Sequence, residues 1–346
     1  MPNVKKISLD QIAKQAQKCF QSNPTLILGS GASMPHGLPS MGALKDYLLA
    51  NVKPEVGDEA DQWLLVRNAL NHGNHLEEAL EGKTMPKKLL EKIVAETWAC
   101  VNEKDHAAFI ETASNLTALP LGETLKCLFQ TSNNEVNIVT TNYDRLIEYA
   151  CNSVNIIFHA GFNPGYLQTW SADPKLNYQR GNKSERVVRL WKVHGSLDWF
   201  SQQDGQTIGM PVFSMPENGM IPQIVTPGLN KYQKTLEDPF RSTMAGADRS
   251  LKAAQAFLCI GYGFRDEHIH PKINQRCREA NVPIVILART LTDEAKTFML
   301  EKAGKNYLGI EKYGDHSKIY TAQHPDGVQI NMSDLWSLSG FQKHLI

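Results

Sequence analysis

The chain has 346 residues with 36 basic and 36 acidic side chains, so its formal net charge at pH 7 is zero. A chain of this length can bury a sizeable core, and we expect one domain with a large insertion. The balanced charge gives no excess of basic residues of the kind expected in a protein that binds DNA or RNA, so direct nucleic-acid binding is disfavoured. The apolar runs are too short to cross a bilayer and the first residues lack a signal peptide, which predicts a cytoplasmic protein with no membrane partner.

The elements alternate between apolar runs and helical spacing. Ser8 or Asp10 is expected to cap a first helix, and residues 25–28 form a strand that ends in a glycine loop. Residues 46–129 have helical spacing and include Trp63 and Trp98. Further buried strands are predicted at residues 136–139, 187–191, 256–260 and 283–288, with helices between several of them. Residues 161–186 and 202–234 have no clear period, although the second segment has short β-like runs, and both are interpreted as loops over a crevice.

This order predicts an α/β fold: a Rossmann-like doubly wound parallel sheet with a helical insertion. We expect a single domain over residues 1–346, with a core at about 22–45 and 130–300. The helical insertion covers about 46–129, and a C-terminal extension covers about 301–346. The insertion is predicted to mediate assembly or partner docking, and the alternative is a lid or buttress on the parent domain.

Four short motifs follow predicted strands. The first contains Gly29, Gly31 and Ser33, whose backbone N–H groups fit a role in binding a pyrophosphate at a helix N-terminus. Met34 stands where the usual dinucleotide fingerprint has its third glycine, so a plain tight turn is the alternative. The other three motifs are Thr140-Thr141-Asn142-Tyr143-Asp144, Val193-His194-Gly195-Ser196 and Gly261-Tyr262-Gly263-Phe264.

Together these motifs resemble the sirtuin superfamily, whose pocket takes NAD. The resemblance implies that Asn142 orients the attacking group beside the nicotinamide ribose, that Asp144 supports the carboxamide end of the pocket, and that His194 is the general base. The alternatives are that Asn142 and Asp144 are helix N-caps and that His194 is a core residue. NAD contacts are implied at the motif positions Gly29, Ser30, Gly31, Ala32, Ser33, Leu38, Pro39, Thr141, Gly195, Ser196, Gly261 and Tyr262.

The segment from Gly261 to Ile269 departs from sirtuins and resembles the signature of a bacterial sirtuin-like branch. Proteins of that branch deplete NAD in anti-phage defence, often with an ATPase or translocase of the HerA type or an Argonaute-type partner. The resemblance therefore implies an NAD glycohydrolase that forms nicotinamide and ADP-ribose within a homo-oligomer or a larger complex. Asp266 is expected to cap the helix that follows, and His268 and His270 have no neighbouring cluster that would suggest a metal.

The six cysteines are scattered and form no Cys-x-x-Cys pair. Neither a disulfide framework nor a zinc ribbon is therefore expected, and reduced, mostly buried thiols are predicted. Sirtuin deacetylases carry a four-cysteine zinc module that this chain lacks, so no zinc and no cofactor beyond NAD as substrate are expected. The aromatic residue that follows the sirtuin loop is also missing, and Met41 is its nearest substitute. The alternative functions are an NAD-dependent deacylase or ADP-ribosyltransferase, or a non-catalytic NAD or ADP-ribose sensor.

Overall fold

The computed structural model describes residues 7–81, 83, 85–115, 119–130, 133–171, 177–217, 219–226, 228 and 237–346. The strands within these ranges are β1 Thr25–Leu28, β2 Glu135–Thr140, β3 Ile157–His159, β4 Gln168–Thr169, β5 Gln179–Arg180, β6 Lys183–Ser184, β7 Val187–Lys192, β8 Gly195–Ser201, β9 Thr207–Gly209, β10 Ile221–Ile224, β11 Phe257–Ile260, β12 Ile284–Ala288, β13 Tyr307–Tyr313, β14 His316–Thr321 and β15 His324–Ile330.

Helices occupy much of the remaining described sequence. Their bounds are Leu9–Gln21, Ser30–Ser33, Met41–Asn51, Asp58–Asn71, Leu76–Leu80, Lys87–Asn115, Pro120–Leu128, Leu146–Ser153, Phe240–Ala253, His270–Ala280, Asp293–Glu301 and Leu338–Leu345, with a 3₁₀ turn at Met34–His36. The first helix begins as predicted, because Ser8 caps it and exchanges hydrogen bonds with Gln11 in a capping box.

The main sheet has the spatial order β15-β14-β13-β12-β11-β1-β2-β7-β3 among the described strands. The strands from β13 to β3 are parallel, whereas β14 and β15 add an antiparallel edge. The first strand, β1, lies between β2 and β11, so the chain winds outward in both directions from it. Such a switch point opens a crevice at the carboxyl ends of the strands.

Helices cover both faces of this sheet because side chains along a strand point alternately to opposite sides. Leu26 and Leu28 enter one buried core with the helices Leu9–Gln21 and Pro120–Leu128, and Ile27 enters the opposite core with helix Phe240–Ala253. The predicted Rossmann-like α/β fold with a helical insertion is therefore confirmed.

The C-terminal segment, set apart from the core by sequence, continues the same sheet. Strand β13 extends the parallel region and β14 and β15 complete the edge. The last helix packs on the first one, with the ring centroids of Phe341 and Phe20 5.9 Å apart. Residues 301–346 therefore belong to the main sheet and cover part of its core.

The insertion forms its own apolar cluster and also packs on the core domain. Trp63 and Trp98 are each only 2% exposed, and the indole N–H of Trp98 donates to the carbonyl of Leu197 at 2.8 Å. The two tryptophans are therefore used for internal packing and are not available to a partner. The large apolar side chains that the insertion does expose include Val56, Leu64, Leu65 and Ile110.

A second, antiparallel sheet corrects the interpretation of residues 161–186 and 202–234 as loops. Strands β10, β8, β9 and β4 pair in that order, and β5 pairs with β6. Most of these strands are two to four residues long. In strands this short, an alternation of apolar and polar residues cannot be measured. Their longer partner, β8, was not itself predicted as a strand.

The cysteines agree with the prediction of free thiols. All six are unpaired, five are buried, and Cys127 is partly exposed. None of the described helices is long and apolar enough to span a membrane.

Candidate active site at the carboxyl edge of the parallel sheet

A cleft of about 440 Å³ opens where β1, β2, β7 and β11 end. Its size is typical of small-molecule sites. Most of the predicted site residues line it: Gly29, Ser30, Gly31, Ser33, Leu38, Pro39, Thr141, Asn142, Asp144, His194, Gly261 and Tyr262. Met41 and Leu44 also line the cleft, and the insertion contributes Glu77 and Val101 to its wall. The fold therefore gathers motifs that lie far apart in sequence.

The glycines of two motifs are in direct backbone contact. A Cβ atom on Gly29 would lie 2.5 Å from the carbonyl oxygen of Gly261, and one on Gly31 would lie 2.8 Å from the Gly261 Cα. Gly261 itself has a φ of +57°, a region that favours glycine. These glycines are required because two backbone segments touch.

The backbone N–H groups of this loop are already engaged. Gly29 donates to the carbonyl of Ile260 and Gly31 donates to that of Gly261, each at 3.1 Å, while Ala32 donates to Gly29 at 2.9 Å. The sequence predicts that the N–H groups of Gly29 and Gly31 bind a pyrophosphate. The structure offers a different reason for the same glycines, because these N–H groups already pair with backbone carbonyls. The loop places the Ser33 side chain in the site instead.

Ser33, Asn142 and Asp144 form one buried hydrogen-bonded group. The Ser33 hydroxyl donates to Asp144 Oδ2 at 2.7 Å. Asn142 Nδ2 donates to the Ser33 oxygen at 3.0 Å and to the Gly29 carbonyl at 2.9 Å. The Asn142 amide nitrogen is held by these two acceptors, which leaves the side-chain oxygen available as an acceptor.

Asp144 also approaches the helix that follows it, as the capping alternative predicts. Its Oδ1 accepts from the N–H of Leu146 at 3.3 Å, although the helix Leu146–Ser153 has Arg145 in the N-cap position. Burial raises the pKa of the Asp144 carboxyl to about 6, against the opposing effects of Lys192 and Ser33. The same carboxylate therefore contributes to the helix start and lines the cleft.

Two buried cations hold the segment that carries Asn142 and Asp144. Lys192, with no exposed surface, donates to the Asp144 carbonyl at 2.5 Å and to Glu148 Oε1 at 2.7 Å. Arg145 donates through its backbone N–H and its guanidinium to Asp105, at 2.6 and 2.8 Å. Lysine and arginine are rarely buried unless paired, so both ion pairs help to hold the segment with Asn142 and Asp144 in place.

Arg145 has further partners that join three regions. Its guanidinium donates to Asp198 Oδ1 at 2.9 Å and to the Asn102 side-chain oxygen at 2.7 Å. Its charge also lies 4.6 Å from the ring centroid of Phe213. Burial raises the pKa of Asp198 to about 6, although Arg145 opposes the shift. Arg145 thus connects the insertion, the small sheet and the Asp144 segment.

His194 lies at the turn after β7, on the same cleft. Its Nε2 is 3.0 Å from Asp266 Oδ2, with 14% and 7% of the two side chains exposed. The ring N–H is not aimed at the carboxylate, so the contact is a charge pair when the imidazole is protonated. Asp266 also caps the turn that leads into the following helix, by accepting from the N–H groups of His268 and Ile269. The N-cap position of the helix itself is Ile269, so the predicted helix cap lies one turn before the helix begins. The proximity of Asp266 to His194 was not predicted.

Gly195 and Ser196 are buried and do not line the cleft. Gly195 has a φ of +88°, and a Cβ there would overlap the Gln223 carbonyl. The glycine is needed where β8 turns beside β10, and it lies outside the cleft at which an NAD contact was implied for it. Ser196 accepts from the N–H of Asp198 at 3.4 Å.

A second, smaller cavity of about 130 Å³ adjoins the first one. Ser33, Asn142 and Asp144 line both spaces, and Ala32, His36, Arg289 and Trp336 line only the smaller one. The three hydrogen-bonded side chains are therefore accessible from two sides. No group of three His, Cys, Asp or Glu side chains that could hold a metal ion occurs in the described parts of the chain.

Comparison with known proteins agrees with this geometry. Residues 136–306 match the family model of the SIR2-like domain, which includes Asn142, Asp144, His194 and Asp266. The predicted resemblance to sirtuins is thus confirmed for the segment that carries these four residues. No curated protein matches the chain.

Solved structures of Sir2 proteins are similar to this chain at low sequence identity. One, from work on the mechanism and regulation of Sir2 enzymes, has 16% identity, a TM-score of 0.43, and covers 86% of this chain and 95% of its own. A Sir2 homologue mutant in complex with ADP-ribose has 15% identity, a TM-score of 0.43 and coverages of 82% and 86%. A Sir2 homologue in complex with NAD has 14% identity, a TM-score of 0.39 and coverages of 82% and 84%.

Proposed function

We propose that this protein binds NAD in the cleft and hydrolyses its nicotinamide–ribose bond. The observation that supports the proposal most directly is the convergence of His194 and the Ser33–Asn142–Asp144 group on one cleft. A base and a set of fixed polar groups are what this bond cleavage needs. A protein that only binds NAD has no use for the base.

In the proposed reaction the N-glycosidic bond breaks and its electron pair stays with nicotinamide, which leaves as a neutral pyridine. Positive charge develops on the ribose, and water adds to its anomeric carbon. His194 takes the proton that the water loses and later releases it to solvent. The products are nicotinamide, ADP-ribose and one proton.

The Ser33–Asn142–Asp144 group beside His194 would position the attacking water and polarise the ligand. The Asn142 oxygen is an acceptor for the attacking water or a ribose hydroxyl, because its Nδ2 is already used. Asp144 would face the carboxamide end of the ligand, and its ionised form would favour the positive ribose. No step of the proposal uses a metal, so incubation with a chelator should leave the rate unchanged.

The test is nicotinamide release from NAD by the purified full chain. Asn142→Ala and His194→Ala should each lower the rate by at least about 100-fold, since general-base and positioning groups contribute on that scale. His72→Ala is the matched control, because His72 is an exposed histidine of the insertion. Near-normal turnover by a folded Asn142 or His194 variant would overturn these roles. NAD binding without turnover in the wild type would favour the sensor, and transfer of ADP-ribose or removal of an acyl group from a protein would favour the other enzymes.

We further propose that the reaction depletes NAD in anti-phage defence, as the effector of a cytoplasmic homo-oligomer or of a complex with a HerA-type or Argonaute-type partner. This role is supported by the resemblance of residues 261–269 to the bacterial branch. Light scattering on the chain, alone and with the product of a neighbouring gene, tests the assembly. Leu64→Glu with Leu65→Glu tests whether the exposed face of the insertion takes part. An inert monomer that no partner activates would overturn the proposal.

A further inference from the structure

A carboxylate lies against the proposed general base, and it comes from a distant part of the sheet. His194 follows β7, whereas Asp266 follows β11, and the strands β1 and β2 lie between them. Because adjacent strands are about 4.8 Å apart, the segment after β11 must cross over two strands to reach the imidazole. The contact therefore requires a specific path of this segment.

The path includes an unfavourable backbone conformation. Phe264, two residues before Asp266, has a φ of +58°, which is uncommon for a residue with a side chain. Its ring is fully buried and stacks on Phe298 with the centroids 4.6 Å apart. Such strained positions persist where the surroundings hold them, and they concentrate at functional sites.

The two oxygens of Asp266 are divided between two tasks. Oδ1 accepts from the backbone N–H groups of His268 and Ile269, each at 3.0 Å. Oδ2 is left to face His194. Burial opposes the charge of Asp266, but the contact with His194 and the two N–H groups outweigh it and hold the pKa of this carboxyl well below its usual range.

Other ionisable groups near His194 do not offer the same contact. Those that line the cleft are Glu77, Tyr143, Asp144, Tyr262 and Arg265. Asp144 is held by Ser33, and Arg265 pairs with Glu294 outside the cleft. Lys192, two residues before His194, is held by Glu148 and the Asp144 carbonyl. Within the described part of the chain, Asp266 is the carboxylate at ion-pair distance from His194.

We infer that Asp266 is a positioning residue for His194: its fixed carboxylate beside Nε2 restrains the imidazole in the cleft. This inference rests on the proposed function for its role in turnover. After the proton transfer, His194 is a cation beside a fixed carboxylate, which stabilises the charged product of that step. Capping alone would require only the Oδ1 atom.

Two substitutions separate positioning from capping. Asp266→Asn and Asp266→Ser both keep an oxygen that can cap a helix, and both remove the negative charge. In each variant we expect the imidazole signals of His194 to move in the NMR spectrum, because the charge beside Nε2 is lost. The kcat of nicotinamide release should fall by at least about 10-fold with little change in KM, because the base is misplaced while the NAD site stays intact.

Asp266→Glu keeps the charge and should restore part of the rate, and Asp293→Asn is a control at the start of another helix. Unchanged His194 imidazole signals in folded Asp266→Asn protein would overturn the inference. The NMR result does not depend on NAD. If the signals move but neither the wild type nor any variant cleaves NAD, the contact stands and the proposed function fails.

Discussion

The two buried cations beside Asn142 and Asp144 hold the same segment to different parts of the molecule. Lys192 belongs to β7 and pairs with Glu148 in the helix Leu146–Ser153, so both partners lie in the core domain. Arg145 pairs with Asp105 in the long helix Lys87–Asn115 and with Asp198 in the small sheet. One anchor is internal to the α/β core, whereas the other depends on the insertion.

This difference changes how the insertion is understood. The side of the insertion that faces the core domain, its inner side, supplies Asp105 and Asn102 to Arg145. Residues of the insertion such as Glu77 also line the cleft. These contacts favour the buttress over a separate docking module for the inner side. They also predict that damage to the Arg145 cluster reaches the candidate site and is not confined to the insertion.

The largest effect is expected for Arg145→Met. It leaves Asp105 and Asp198 buried without their cation, and breaking a buried pair costs about 3–5 kcal/mol. We expect a value near the upper end, measured by urea unfolding at pH 7. Arg241→Met is the matched control, since Arg241 forms an exposed pair with Asp238 and surface pairs contribute up to about 1 kcal/mol. Equal effects of the two substitutions would contradict the importance of the cluster.

Lys192→Met should cost somewhat less, about 3 kcal/mol, because a single carboxylate, Glu148, loses its partner. Adding Glu148→Gln to this variant removes the unpaired charge and should recover about 1 kcal/mol or more. Unfolding of the two single variants and the double variant completes a double-mutant cycle. A strictly additive cycle would mean that the two groups do not interact.

Asp144→Asn should change the pH dependence of stability. The folded pKa of Asp144, about 6, lies above its value of about 4 in an unfolded chain. Its contribution to stability is therefore full below pH 4 and is lost as the pH rises through 6. The neutral asparagine has no such loss, so relative to wild type the variant should gain about 2 kcal/mol between pH 4.5 and 7.5. Denaturation at both pH values measures this difference, and a pH-independent offset would contradict the burial of an ionised Asp144.

The smallest effect is expected on the outer side of the insertion. Leu64 and Leu65 are 53% and 52% exposed, so replacing both by glutamate should change the unfolding free energy by no more than about 0.5 kcal/mol. Nicotinamide release by the wild type and the variant should also agree. A large loss of stability would mean that this face packs on something within the chain.

The sequence predicts the central strands and the cleft because those elements carry local signals. Residues 25–28 and 256–260 are short apolar runs that end at glycine, and His194 and Asn142 lie in recognisable motifs. The pairing of Arg145 with Asp105, 40 residues away, has no local signal, since it depends on how the insertion packs. The same holds for Asp266 and His194: the cap of a helix is visible in sequence, but the path of its segment across the sheet edge is not. The small sheet was missed because a two-residue strand is defined only by its partner.

The contact between Gly29, Gly31 and Gly261 limits what amino-acid substitutions can reveal about the role of the glycine loop in ligand binding. Any larger residue at one of these positions pushes against backbone contributed by the other motif, so Gly31→Val is expected to disturb folding before it affects a ligand. Loss of activity in such a variant carries no information about phosphate contacts. The two motifs are therefore expected to be inherited as a matched pair, and a chimaera that takes only one of them from a relative should fail unless all three glycines are kept.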